Sequence, residues 1–135
     1  MKLFRVFPLL SITLILYNGA VFLAGADIAG SIGTITLFSG AEWTLTLGDL
    51  LIMVSVALLF AEILKSTSTR NTALLDHGLS FLVFVVALVE FLIVPACGTS
   101  VFFIFLLMSA LDVIGGFTVS MTSARRDWGG GSLTG

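Results

Sequence analysis

Long apolar runs separated by short polar segments make up most of the chain. They predict four membrane-spanning helices at about residues 6–25, 50–65, 78–95 and 101–121, because a helix needs about 20 apolar residues to cross the hydrocarbon core of a bilayer. The second run is short and fits a thin or slightly compressed crossing. We therefore expect an all-α membrane protein, a four-helix bundle, with residues 1–127 in one domain and a disordered glycine-rich tail at 128–135.

Polar and apolar residues alternate between the first two runs, at Thr34–Phe38 and Trp43–Leu47. The glycine-containing link Ser39–Glu42 joins them, so the pattern predicts a small extracytoplasmic β-hairpin over about residues 34–47. An irregular interfacial loop is the alternative. An isolated hairpin is marginally stable in water, so its apolar face must lie on the tops of the helices or on the lipid headgroup layer. That face consists of Ile35, Leu37, Trp43, Leu45 and Leu47.

The first run also has a second interpretation. Ala24-Gly25-Ala26 resembles the small-residue cleavage site of a secretory signal peptide. The apolar part of a signal peptide is normally about 7–15 residues long, whereas this run is longer and is interrupted by Tyr17-Asn18-Gly19. We therefore expect the first span to be retained. Asp49 is expected to cap the second helix.

Composition agrees with a membrane protein and excludes several kinds of site. Hydrophobic residues make up 58% of the chain and charged residues 10%, whereas a soluble domain has about 25% charged residues. The net charge of −2 offers no basic patch for nucleic acid. The single cysteine excludes an internal disulfide and a multi-cysteine metal site. No phosphate-binding loop, HExxH or Gly-x-Ser-x-Gly motif is present, so we expect no enzyme activity, no cofactor and no metal.

The basic residues all fall on one side of the predicted topology. The leader, the turn after the second span and the tail hold two each: Lys2, Arg5, Lys65, Arg70, Arg125 and Arg126. Because cytoplasmic loops carry an excess of Lys and Arg, we expect a multi-pass membrane protein with both termini in the cytoplasm. Trp43, and Trp128 with Arg125 and Arg126, are expected to anchor the chain at the membrane interfaces.

Three acidic residues, Glu62, Glu90 and Asp112, lie inside predicted spans. The helical rise places Glu90 and Asp112 near the bilayer midplane, within about a turn of each other in depth, so they can share a site with Ser109. Glu62 lies one turn from Lys65 and can pair with it or reach the interface. Intramembrane acids mark proton, cation or substrate sites. The alternative is that they are neutral groups that hold helices together by hydrogen bonds.

Small and polar residues share helix faces with these acids. Ser80, Ala87 and Cys97 align with Glu90, Ser109, Gly116 and Ser120 align with Asp112, and Ser55 aligns with Glu62. Such faces pack against other helices in membranes. We therefore expect them to bind other membrane proteins or a second copy of the chain.

Two further polar positions have simpler interpretations. Asp76 and His77, at the start of the third helix, are expected to form a solvated polar rim. Cys97, in the link after Pro95, is expected to pack as a small apolar residue.

Four segments resemble a family of uncharacterised small bacterial inner-membrane proteins with four predicted spans. They are Trp43–Leu50, Asp76-His77, Leu88–Leu92 and Asp112–Thr118. The resemblance covers most of residues 1–127 and implies the same topology and location. It implies no activity.

Two functions remain open. The first is a non-enzymatic accessory or assembly subunit that binds other membrane proteins through its small and polar helix faces. The second is a small proton- or cation-coupled transporter that uses Glu90 and Asp112. The accessory role is favoured because four short helices enclose little volume, and the sequence has no pair of broken helices of the kind that form transporter sites.

Overall fold

The computed structural model describes the backbone of residues 5–68 and 73–132, and within the last helix it describes side chains to residue 122, except residue 120. Four helices and one two-stranded sheet make up the fold. In chain order these are α1 (Leu10–Asn18), continued by a π-helix (Gly19–Leu23), β1 (Ser31–Thr36), β2 (Glu42–Thr46), α2 (Leu47–Ser68), α3 (Ala73–Ile93), a 3₁₀ turn (Pro95–Cys97) and α4 (Ser100–Ser132).

Three of the helices are long and apolar enough to cross a membrane. These stretches are Leu47–Thr67, Leu74–Ile93 and Ser100–Val119. The first helix is shorter: Leu10–Leu23 covers about 21 Å at the usual helical rise, against about 30 Å of hydrocarbon. The helical architecture is therefore confirmed, while membrane insertion of the four helices stays a prediction.

The first helix ends at a glycine. Gly25 has a φ of +60°, in the left-handed region, and the N–H of Ala26 bonds to the carbonyl of Ala20 at 2.8 Å. The bond spans one residue more than the usual six-to-one bond because the last turn is π-helical, and a left-handed glycine at this position is a common helix C-terminus. The small residues that resemble a cleavage site therefore form the end of this helix.

The predicted hairpin is confirmed, so the irregular loop is wrong. The strands are antiparallel, with Thr34 opposite Thr44 and Ile35 opposite Trp43. The turn closes with a hydrogen bond from Leu37 N to Ala41 O at 2.9 Å. Gly40 has a φ of +85° there, a conformation that a residue without Cβ adopts most easily. The first strand begins and ends earlier than the sequence predicts, at Ser31–Thr36.

The hairpin does not pack on the tops of the helices over most of its length. Ile35 is 54% exposed and Trp43 42% exposed, and every residue of β1 is exposed. Only Leu45 and Thr46, next to α2, are half-buried. Of the two supports considered for the apolar face, the helices provide only the part next to α2, where Leu45 and Leu47 are half-buried.

Thr46, not Asp49, caps the second helix. The hydroxyl of Thr46 accepts the N–H of Asp49 at 3.1 Å, and the carboxylate of Asp49 accepts the N–H of Thr46 at 2.9 Å. This reciprocal arrangement is a capping box with aspartate in place of the usual glutamate. The helix α2 therefore begins directly after β2, with no residue between them.

The core lies where the four helices meet. Phe102 of α4 is fully buried at its centre, and the ring of Tyr17 packs edge-on against it with 4.9 Å between centroids. At the base of the hairpin Gly48 allows a close approach, because a Cβ there would lie 2.6 Å from Cγ2 of Val101. We call this side of the bundle the hairpin end and the opposite side the Lys65 end.

The last helix is longer than the predicted span. It continues to Ser132, where the sequence predicts an end near 121 and disorder from 128. No proline follows Ser100, and the alanine and arginines at 124–126 favour helix. Residues 133–135 of the predicted tail lie outside the described part of the chain.

Candidate functional site

A buried ionic network occupies the Lys65 end. The ammonium of Lys65 lies 3.0 Å from Oε1 of Glu62 and 2.9 Å from Oδ1 of Asp76. Apart from Lys65, neither oxygen has a hydrogen-bonding partner among the described residues. Both acids are 2% exposed. The predicted Glu62–Lys65 pair is confirmed, and the predicted solvated position of Asp76 is wrong.

The network also holds the start of the first helix. Lys65 donates a hydrogen bond to the carbonyl of Phe7 at 2.7 Å, and Oε2 of Glu62 accepts the N–H of Leu9 at 2.6 Å. The first N–H groups of a helix have no partner within the helix. Glu62 and Lys65 of α2 therefore bind the backbone at the start of α1.

Asp112 joins this network from α4. Its carboxyl group forms a hydrogen bond with Ser80 of α3 and interacts electrostatically with Glu62, Asp76 and Lys65. Ser109, one turn earlier, is buried and donates to the carbonyl of Leu106 at 2.8 Å. Ser109 thus lies on the same buried face as Asp112, with its hydroxyl satisfied by the backbone of its own helix.

His77 is buried as well, because α4 has a glycine opposite it. A Cβ on Gly116 would lie 2.7 Å from the imidazole ring, and the ring stacks on Phe117 with 5.2 Å between centroids. His77 is 6% exposed. The solvated rim predicted for Asp76 and His77 is therefore wrong, since both side chains pack between helices.

Glu90 belongs to a different polar group, at the hairpin end. The side-chain amide of Asn18 donates to Oε2 of Glu90 at 2.9 Å, and Sγ of Cys97 lies 3.8 Å from the same oxygen. Nearby along α1, the hydroxyl of Tyr17 donates to the carbonyl of Ala96 at 2.9 Å. It also lies 2.9 Å from the hydroxyl of Thr99.

The predicted shared site of Glu90 and Asp112 is wrong. Asp112 bonds to Ser80, ten residues before Glu90 on the same helix, which is roughly 15 Å along its axis. Glu90 lies three residues before the end of α3, about 5 Å from it, and not at mid-depth. The prediction failed because α3 begins and ends earlier than the sequence indicated.

Cys97 is buried and has a polar neighbour. It has no exposed surface, and its thiol contacts the Glu90 carboxylate. Burial, followed by the negative charge of Glu90 and the hydrogen bond to it, raises the pKa of the Cys97 thiol to about 11. The thiol therefore serves as a weak donor to Glu90 at neutral pH, in addition to packing as a small residue.

A groove runs along the outside of the bundle beside Glu90. It has a volume of about 490 Å³ and is lined by Leu14, Ile15, Asn18, Gly19, Phe22, Leu23 and Glu90. Gly19 leaves room in it, since a Cβ there would meet nothing within 4 Å. The π-helix begins at Gly19, and π-helical turns occur frequently at functional sites.

The small and polar faces predicted to bind partners are used inside the chain. Ser55, Ser80, Ala87, Cys97, Ser109 and Asp112 are all buried between its own helices. These six residues pack the chain's own helices together, as expected of such faces, whereas Glu90 on the same face of α3 is only half-buried. Of the predicted interface anchors, Trp43 is exposed on the hairpin, and the side chains of Trp128, Arg125 and Arg126 lie outside the described part.

The partners of the first helix were missed by sequence reasoning. Thr13, Tyr17 and Asn18 bond to Ser55, Thr99 and Glu90 on or next to the three later helices. The signal was present, because Tyr17-Asn18-Gly19 interrupts an otherwise apolar run. Polar residues in such a run need partners, and here the other helices provide them.

The described residues contain no group of three or more His, Cys, Asp or Glu side chains arranged to hold a metal ion. Comparisons of the chain with family models, with curated proteins and with solved structures gave no match. The resemblance to four-span inner-membrane proteins therefore stays a prediction.

Proposed function

We propose that the chain is an integral protein of the bacterial inner membrane that acts as a non-enzymatic accessory or assembly subunit. Its docking surface is the groove beside Glu90, not the small and polar faces on which the sequence prediction rested. The occupant is a transmembrane helix of another protein.

The proposal rests on the groove and on its two polar lining residues, Asn18 and Glu90. Ile15, Phe22 and Leu23 are exposed on its walls, so in a membrane it faces lipid. Asn18 and Glu90 then lie beside hydrocarbon, where a polar group without partners is costly. Both hydrogen bonds described for Glu90 end on Oε2, which leaves Oε1 to accept from an incoming donor.

The shape of the groove fits a helix. Glycine at a membrane helix surface lets a second backbone approach closely, and the space over Gly19 is open. A second copy in the same orientation has no basic side chain to offer Glu90, because the sequence has no Lys or Arg between Arg5 and Lys65 or between Arg70 and Arg125. We therefore assign the groove to a different protein that presents a hydrogen-bond donor or a basic side chain.

The alternative, a proton- or cation-coupled transporter, lacks a shared site for its two acids. The buried positions between Ser80 and Glu90 on α3 are Val83 and Ala87. On α4, Phe102, Phe105 and Leu106 lie between Thr99 and Asp112 and belong to the core. On α3 and α4 apolar side chains separate the two polar groups, while on α1 and α2 the buried Thr13–Ser55 hydrogen bond lies between them. Asp112 and Glu90 bond to different partners, which favours the accessory role.

Photo-crosslinking tests the proposal. A benzoylphenylalanine placed at Ile15 or Phe22, in the groove, should capture one membrane protein in native membranes. The same group at Val56, exposed on α2, should not capture it. Gly19→Leu should abolish the crosslink by filling the groove, at unchanged abundance, whereas Gly115→Leu, also in open space, should leave it intact. Crosslinks only to lipid or to a second copy would refute the docking role.

A further inference from the structure

The hairpin carries an exposed apolar face that nothing in the fold covers among the described residues. Ile35 and Trp43 are direct cross-strand neighbours and are exposed. At the turn, Phe38 is exposed over its whole surface. The pairs Thr34–Thr44 and Thr36–Glu42 occupy the opposite face, with 3.1 Å between the two hydroxyls of the first pair. Over the paired residues 34–36 and 42–44 the hairpin is therefore amphipathic, while Ile32 at the start of β1 is also exposed.

Its attachment places this face next to the membrane-facing surface of the helices. Strand β2 passes into α2 without an intervening residue, and the exposed side chains Leu50 and Met53 follow in the first turns of that helix. On the other side, the exposed Phe22 and Leu23 precede β1 by a short link. Apolar surface thus extends to the hairpin from both flanking helices.

We propose that the hairpin lies in the outer lipid interface, with Ile35, Phe38 and Trp43 inserted among the lipids and the threonine face toward water. A strongly amphipathic element with large apolar side chains on one side is suited to lie in the plane of the interface. Tryptophan favours this layer because its ring is apolar and its N–H is polar. The proposal does not depend on a helix in the groove.

The charges of the hairpin define the type of binding. Residues 24–49 contain Asp27, Glu42 and Asp49 and no lysine or arginine. Attraction to anionic headgroups, which acts through basic residues, cannot hold it. Insertion must therefore be driven by apolar area, and zwitterionic lipid is sufficient for it.

Tryptophan quenching by brominated lipids tests this placement in the full chain. Trp128→Phe leaves Trp43 as the single tryptophan, and the protein is reconstituted into phosphatidylcholine vesicles with brominated acyl chains. Trp43 emission should fall compared with unbrominated vesicles, most strongly when the bromines are close to the headgroups. Phe38→Trp in a Trp43→Phe, Trp128→Phe background should behave in the same way. Thr36→Trp in that background, on the polar face, should instead be quenched by aqueous iodide.

The tip position distinguishes the alternatives. An upright hairpin would leave the tryptophan of Phe38→Trp accessible to iodide and unaffected by bromolipid, which would overturn the proposal. Protection from both quenchers would show that protein covers the tip and would also overturn it. Loss of lipid quenching at high salt would contradict insertion driven by apolar area. If Phe38→Trp does not fold, the single Trp43 variant provides the same comparison.

Discussion

The side-chain amide of Asn18 donates a hydrogen bond of 2.9 Å to the carboxylate of Glu90, 72 residues further along the chain. This contact joins the one side-chain amide of α1 to the acidic residue near the C-terminal end of α3. It places two hydrogen-bonded polar side chains in a groove whose other lining residues are apolar. Asn18 also donates to Leu14 O at 2.9 Å, so its orientation is held from its own helix.

The adjacent glycines of α4 should respond in opposite ways to alanine. Gly116→Ala places a methyl group 2.7 Å from the His77 ring, and overpacking of this kind costs about 1–3 kcal/mol. Gly115→Ala meets nothing within 4 Å and should be neutral or stabilising by up to about 1 kcal/mol. Thermal unfolding of both variants in the same detergent measures the difference. Equal effects would show that His77 does not pack on α4.

Lys65→Met should be among the most damaging single substitutions. It leaves Glu62 and Asp76 buried without the ammonium that contacts both, and loss of one partner of a buried ion pair costs about 3–5 kcal/mol. Adding Asp76→Asn should recover part of this loss, because one uncompensated charge is removed. Glu42→Gln on the exposed hairpin is the control, with an expected change within about 0.5 kcal/mol. Additive effects of the first two substitutions would contradict a shared network.

Cys97 should react with alkylating reagents only at high pH. Its pKa of about 11 against an ordinary 9.0 keeps the thiol protonated in the folded state. The contribution of this group to stability is therefore complete below pH 9 and is lost as the pH rises toward 11. Glu90→Gln removes the neighbouring charge, so the pH profile of the alkylation rate should shift to lower pH. A midpoint near 9 in the folded wild-type protein would contradict both the burial of the thiol and its contact with Glu90.

Orientation is tested by thiol labelling in intact cells, in a Cys97→Ala background. The basic residues predict that a cysteine at Ser39 lies outside and one at Ser68 lies in the cytoplasm. An impermeant thiol reagent should label Ser39→Cys and not Ser68→Cys. Permeabilised cells, in which both should react, are the control. Labelling of Ser68→Cys alone would reverse the topology.

The local patterns of the chain determined most of the secondary structure. Apolar runs predicted the three long helices, and alternation around Ser39–Glu42 predicted the hairpin, because both signals depend on neighbours within a few residues. The ends were less certain. The pattern placed the cap of the second helix at Asp49, but the helix begins at Leu47 and Thr46 caps it.

The tertiary structure decided which polar residues meet. The spacing along the sequence placed Glu90 and Asp112 at one depth. In the structure α3 begins earlier than predicted, and Asp112 bonds to Ser80 while Glu90 bonds to Asn18. It also buried most residues of the small and polar faces between the chain's own helices. The sequence by itself determined that acids, serines and glycines lie inside apolar helices. Which of them face each other depends on helix rotation and register, and these are set by packing between segments far apart in the chain.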